Sequence, residues 1–153
     1  MPVLIEISDV AIARASAAAT RQGVNLFARQ LDLSDHSMAS ALAKAEPPEP
    51  VTLVCCFHYL NRSLLQTVAS DLPPGAVFAA SIATVGNLER HDRPSARFLL
   101  DPGELGDLVV GMGQEDHGSQ LTVLHHWEGW NSAGFHEAEI VVRRSRHLSN
   151  WAE

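Results

Sequence analysis

Basic residues are scarce in this chain. Eleven lysines and arginines stand against eighteen aspartates and glutamates in 153 residues, a formal charge of −7. A balance of that sign argues against a nucleic-acid backbone as the main partner, because phosphate binding needs clustered cations. Arg143, Arg144 and Arg146 form one small basic group, read as a solvated chain end. No apolar run approaches the ~20 residues that cross a bilayer, and no basic-then-apolar leader opens the sequence. A cytoplasmic protein without a membrane partner is expected. Cysteine is nearly absent: Cys55 and Cys56 are adjacent and alone. Neighbours on a strand point to opposite faces, so they cannot pair with each other. No C-x-x-C spacing accompanies them, and two buried, reduced thiols are expected. His125 and His126 are likewise adjacent on a strand, with no H-x-x-x-H or Cys/His spacing nearby. No metal site is expected. Internal repeats and low-complexity tracts are missing too.

What is present is the composition of a globular core, 46% hydrophobic and 19% charged. At this length a single domain is expected over residues 1–153. Element types alternate along it. Val3 to Ile7 reads as a strand, followed by a helix capped by Ser8 or Asp9, running to about Arg21 and ended by Gly23. That helix is rich in alanine, which has high helix propensity and permits close packing. Val24 to Gln30 reads as a second strand, closed by Leu31-Asp32-Leu33. Ser34 or Asp35 then caps a short helix through Lys44. Glu46-Pro47-Pro48-Glu49-Pro50 forbids helix and central strand alike.

Val51 to Phe57 is a near-continuous apolar run, suited to a strand buried on both faces of a parallel sheet. Asn61 caps the next helix, to about Asp71. Pro73-Pro74-Gly75 turns the chain into another strand, Ala76 to Ala83. The polar stretch from Thr84 to Arg97 reads as a long loop that shapes specificity. Asp101-Pro102-Gly103-Glu104 reads as a helix start, with Asp101 as cap and proline at the first position. Leu121 to Trp127 and Ala138 to Arg143, separated by Gly129 to Gly134, read as a closing antiparallel hairpin packed by Trp127, Trp130 and Trp151. The order is that of an α/β sheet with helices on both faces.

Five pieces recur in a telling order and spacing. They are Ile5-Glu6-Ile7-Ser8-Asp9-Val10-Ala11, Leu31-Asp32-Leu33, Phe57-His58-Tyr59-Leu60-Asn61-Arg62, Leu72-Pro73-Pro74-Gly75-Ala76, and Phe98-Leu99-Leu100-Asp101-Pro102-Gly103-Glu104-Leu105. Together, over about residues 3–144, they resemble class I S-adenosylmethionine-dependent methyltransferases, nearest the small-molecule branch that includes tellurite-resistance-type enzymes. The resemblance implies a Rossmann-like methyltransferase sheet, mostly parallel, with a C-terminal antiparallel β-hairpin. It implies S-adenosyl-L-methionine as cofactor and a small-molecule methyl acceptor as partner.

Residue by residue, Glu6 matches the acid that accepts from both ribose hydroxyls, and Ile7 follows it. Asp32 matches the acid that meets the adenine amino group, with Leu31 and Leu33 flanking the ring. Phe57 and His58 match the segment lining the methyl-transfer end, and Tyr59 and Arg62 lie on the acceptor side. The cofactor residues are therefore Glu6, Ile7, Asp32, Leu33 and Phe57, and the catalytic candidates are His58, Tyr59 and Arg62. Each has a plainer reading. Glu6 suits the N-terminal end of any helix, and Asp32 can be a turn residue or cap. His58 is either a core histidine or a general base. Arg62 either salt-bridges on its helix or holds an anionic acceptor.

The departure from the family is as informative. Its first strand, Gly-x-Gly-x-Gly loop and first helix have no counterpart, since only Met1 and Pro2 precede Val3. Gly111-Met112-Gly113 follows a helix and does not replace the loop. The expectation is an N-terminally truncated domain in which the strands at Val3 and Val51 pair directly, borrow a strand, or leave a gap. A second function follows from the gap: a non-catalytic remnant acting by self-association or protein interaction, with a homodimer through the exposed sheet centre.

Overall fold

The computed structural model describes residues 1–111 and 121–145. Residues 3–30 build the first unit. Strand β1, Val3–Glu6, leads into helix α1, Asp9–Arg21, and returns as β2, Phe27–Gln30. The helix begins where Ser8 leaves the helical region and its hydroxyl accepts the Ala11 N–H at 3.2 Å. It stops at Gly23, whose φ of +68° is a left-handed conformation that glycine adopts without strain. The alanines give propensity but not close packing, because no residue of α1 is fully buried.

Helix α2, Met38–Ala45, is capped by Ser37 rather than by Ser34 or Asp35. Ser34 is drawn into a turn with Asp32, and the cap falls three residues later. Strand β3, Leu53–Phe57, is followed by the short helices α3, Arg62–Gln66, and α4, Val68–Asp71. Asn61 caps α3 by accepting the Leu64 N–H at 3.0 Å. Strand β4 is Val77–Ala83. The stretch from Thr84 to Arg97 is less irregular than its composition suggests: it holds a 3-10 helix at Val85–Glu89 and meets another at Ala96–Phe98. Helix α5, Glu104–Val110, starts at a left-handed Gly103, not on an Asp101 side-chain cap. Glu104 nevertheless reaches back to the Asp101 N–H at 2.8 Å, as the acid of a capping box does. Met112 and Gly113 lie outside the described residues. Strands β5, Leu121–Trp130, and β6, His136–Arg144, form the closing hairpin.

The strands form two sheets. β1 and β2 pair in parallel by themselves, and the second sheet runs β3-β4-β6-β5. Two pairings are parallel and two antiparallel, so the arrangement is mixed rather than mostly parallel. β1 and β3 do not pair with each other, and each has a single hydrogen-bonded neighbour among the described residues. Of the three expected arrangements, direct pairing of β1 with β3 is not the one adopted by the described residues.

The core lies on one face of the larger sheet. Phe78, Ala80 and Ile82 of β4 and Ala138, Ile140 and Val142 of β6 pack against Met38, Leu64, Leu65, Val68, Leu105 and Val109 from the helices. Each large side chain removed from water in this way contributes about 1.5–3 kcal/mol. The other face of β3 is open. Leu53 and Phe57 are 56% and 57% exposed, and Cys55 between them is exposed too. The apolar run is therefore buried on one face only, through Val54 and Cys56. Of the basic group near the end of β6, Arg143 is exposed as expected but Arg144 is not a solvated chain end. Arg144 donates to the Ser70 carbonyl at 2.6 Å and also to that of Leu72, tying β6 to the end of α4. Arg146 and Trp151 lie outside the described residues. Among the described residues, no helix is long and apolar enough to cross a membrane.

Candidate functional site

A cavity of about 870 Å³ opens at the carboxyl ends of β3 and β4, where open α/β sheets bind ligands. His58, Tyr59 and Arg62 line it together with Asn61, Asn87 and Glu137. All three catalytic candidates are thus brought to one place. The five cofactor candidates are not among its walls. Glu6 and Ile7 stand at the end of β1, Asp32 and Leu33 after β2, and Phe57 on the open face of β3.

Three segments meet at the cavity because Asn61 joins two of them. Its Oδ1 caps α3, while its Nδ2 donates to the Leu33 carbonyl at 2.6 Å. The loop after β2 is thereby fastened to the loop after β3. The third segment, the 3-10 turn after β4, is held from below. Asn87 is buried; its Nδ2 donates to the Thr84 carbonyl at 3.2 Å, and its Oδ1 accepts the His136 N–H at 3.0 Å. Thr84 Oγ1 meets His136 Nδ1 at 2.6 Å. Gly86 passes so close under the His136 ring that a Cβ there would sit 2.6 Å from it.

His58 is in the left-handed region, with φ +55°, which few non-glycine residues adopt. Its N–H donates to the Ser81 carbonyl at 2.8 Å. Its Nδ1 lies 3.6 Å from Glu137 Oε1. Arg62 is paired on one edge: Nε and Nη2 meet the two oxygens of Glu104 at 2.5 and 3.0 Å, and Nη2 also donates to the Leu99 carbonyl at 3.2 Å. The pair raises the guanidinium pKa above its ordinary value and holds the Glu104 carboxyl below the usual range. Arg62 thus makes the salt bridge of its plainer reading, here between α3 and α5, while also lining the cavity.

At the other end, Glu6 Oε1 accepts the Ser8 N–H at 2.9 Å, and Asp32 Oδ1 accepts both the amide and the hydroxyl of Ser34 at 2.9 and 2.6 Å. The Ser34 hydroxyl, then its amide, hold the Asp32 carboxyl below the ordinary carboxylate value. The second oxygen of each acid is without a hydrogen bond from the described residues. Leu33 packs against the core, and Ile7 is 59% exposed. Glu137 and Asn87 are not among the site candidates read from the sequence, and Glu104 is read there only as part of a helix start. Only the register Ala83↔Glu137 brings the first of them to the cavity, and no local pattern announces it.

No protein-family model matches the sequence. It is 31% identical over 93 residues, 57% of this chain, to the nonribosomal peptide synthetase ecdA of Aspergillus rugulosus; the chain spans about 1% of that protein's length. Solved structures are similar over 94% of the chain. An S-adenosylmethionine-dependent methyltransferase from Clostridium acetobutylicum matches with a TM-score of 0.59 at 11% identity, over 74% of its own length. TehB from Haemophilus influenzae matches with a TM-score of 0.60 at 12% identity, over 49% of its length. The [4+2]-cyclase SpnF matches with a TM-score of 0.59 at 11% identity, over 66% of its length. A fold can carry unrelated chemistries, and identities this low speak for architecture alone. The chain has the α/β Rossmann-like methyltransferase fold, built on mixed sheets.

Proposed function

We propose that the chain is an S-adenosyl-L-methionine-dependent methyltransferase domain acting on a small-molecule acceptor, of the tellurite-resistance-like kind its sequence resembles. One observation carries the reading. The cavity at the carboxyl ends of β3 and β4 is lined by His58 and Tyr59, and Glu6 at the end of β1 and Asp32 after β2 each keep one oxygen without a hydrogen bond from the described residues. The donor set fits the cofactor, since a carboxylate oxygen accepts from a ribose hydroxyl or an adenine amino group. Bound there, S-adenosyl-L-methionine would supply an electrophilic methyl group to the lone pair of a nucleophilic acceptor. The chain's own work is alignment and exclusion of water. Glu6 and Asp32 hold the nucleoside, Tyr59 and Asn61 form the acceptor wall, and His58 takes the proton released by a protic acceptor. Arg62, paired with Glu104, shapes the wall.

Calorimetric titration with S-adenosylhomocysteine tests this. Micromolar binding that weakens at least tenfold in Glu6→Ala is expected. An absence of heat at high protein concentration overturns it.

A second reading has its own observation. β1 and β3 each pair along one edge, and Leu53 and Phe57 lie open beside the β3 edge. A methyltransferase-like fold working by self-association or protein interaction would use that edge, because unpaired strands template further pairing. Light scattering separates the two. A dimer that dissociates in Leu53→Lys supports the second reading, and a wild-type monomer at high concentration removes the homodimer.

A further inference from the structure

Glu137 stands apart from the other polar residues of the cavity. It lies on β6 opposite Ala83 of β4, its side chain is 10% exposed, and it is the one carboxylate among the described cavity residues. A buried carboxylate is costly unless its oxygens are met. Oε2 is met twice, by Asn131 Nδ2 at 2.9 Å and by the Ser81 hydroxyl at 3.3 Å. These contacts brace the hairpin and explain one oxygen. Oε1 makes no hydrogen bond within the described residues and faces His58 Nδ1 at 3.6 Å, an ion-pair separation that a small rotation of the exposed imidazole would close to a hydrogen bond. Ser81 fixes both partners, since its carbonyl accepts the His58 N–H while its hydroxyl donates to Glu137. The left-handed backbone at His58 carries the same signature, because such conformations persist where surrounding structure over-determines them.

We infer that Glu137 is a positioning residue for His58: it draws the Nδ1–H side of the imidazole toward its Oε1 and so leaves Nε2 as the proton-accepting atom. A neutral imidazole carries one N–H, and the hydrogen bond at one nitrogen decides the state of the other. A carboxylate can only accept, so it selects Nδ1–H. Without such a partner, imidazole in water favours the opposite tautomer. The His58 side chain is 72% exposed, so a proton taken at Nε2 has a path to solvent. The use of Nε2 rests on the methyl-transfer reading, but the tautomer does not.

Long-range proton–nitrogen correlation spectra of the 15N-labelled protein test this, at a pH where the imidazole is neutral and with His58 assigned from His58→Gln. The expected wild-type spectrum shows a protonated Nδ1 and a bare Nε2. In Glu137→Gln the amide oxygen satisfies Asn131 and Ser81, the amide NH2 faces His58, and the ring flips to the Nε2–H form. A merely structural Glu137 would leave the tautomer unchanged in that variant, and that result overturns the inference. So does an Nε2–H tautomer in the wild-type protein, a measurement that stands even if the variant fails to fold. Loss of cofactor binding with the Nδ1–H tautomer intact would overturn the methyltransferase reading and leave this one standing.

Discussion

The Asn61 side chain reaches across to the Leu33 carbonyl, its Nδ2 donating at 2.6 Å while its Oδ1 caps α3. One buried amide therefore performs two tasks with two different atoms. The tasks separate by substitution. Asn61→Asp keeps the cap and loses the donor, leaving a carboxylate oxygen against a carbonyl. Asn61→Ala loses both. Both variants should be less stable in chemical denaturation, with Asn61→Ala down by about 1–3 kcal/mol from the lost cap and the orphaned carbonyl. A loss under about 0.5 kcal/mol would mean the amide is replaceable by water.

The Arg62–Glu104 pair gives stability a pH dependence of known sign. Hydrogen bonding from Arg62 lowers the Glu104 pKa from its ordinary 4.5 in the folded chain. A depressed carboxyl pKa contributes stability that is present above the unfolded value and lost as pH falls through the folded one. Wild type should therefore exceed Glu104→Gln by a constant margin of about 1 kcal/mol near neutrality, given Arg62's partial exposure. The margin should close as pH falls below 4.5. A margin that persists well below that point would show that charge is not what Glu104 contributes.

Cys55 and Cys56 should react at very different rates. Cys55 lies on the open face of β3. The Cys56 thiol packs against the core and donates to the Tyr59 carbonyl at 3.3 Å, and burial, with the adjacent Cys55, pushes its pKa up to about 11. At about pH 8, where ordinary thiols are partly ionised, iodoacetamide should modify Cys55 first, and Cys55→Ser should remove the fast phase in mass spectra. Fast labelling of Cys56 in that variant would mean β3 opens readily.

Gly86 should resist any side chain. A Cβ there would lie 2.6 Å from the His136 ring, which is itself held by Thr84. Gly86→Ala should cost about 1–3 kcal/mol through overpacking. His136→Ala in the same chain should recover part of that cost. If the double variant is no better than the single ones predict together, the strain lies elsewhere.

Local signals proved readable where one residue and its near neighbours decide the outcome. The Ser8 cap and Gly23 stop of α1, the Asn61 cap, the Pro73-Pro74-Gly75 turn and the closing hairpin all belong to that class. The misreadings concern what lies across the sheet. Leu53, Cys55 and Phe57 have the composition of a doubly buried strand, but burial depends on a covering layer that the strand itself does not encode. Glu137 is one acid in an alternating strand, and only the β4–β6 register turns it toward His58. Arg62 was ambiguous because its partner lies 42 residues away on another helix. For the site, the segment after β3 was legible in advance, whereas the acid beneath it was a product of topology.

The split sheet has a consequence for how the molecule opens. The ladder of β1 and β2 shares no strand pairing with the larger sheet among the described residues, and α1 beside it buries no residue completely. β4 and β6 instead carry Phe78, Ile140 and Val142 at no measurable exposure. Native-state amide exchange should therefore resolve two cooperative units. Val3 to Gln30 should exchange through a low-energy partial opening, and β4 with β6 only on global unfolding. The strand that ends in Glu6 would then belong to the half of the protein that breathes.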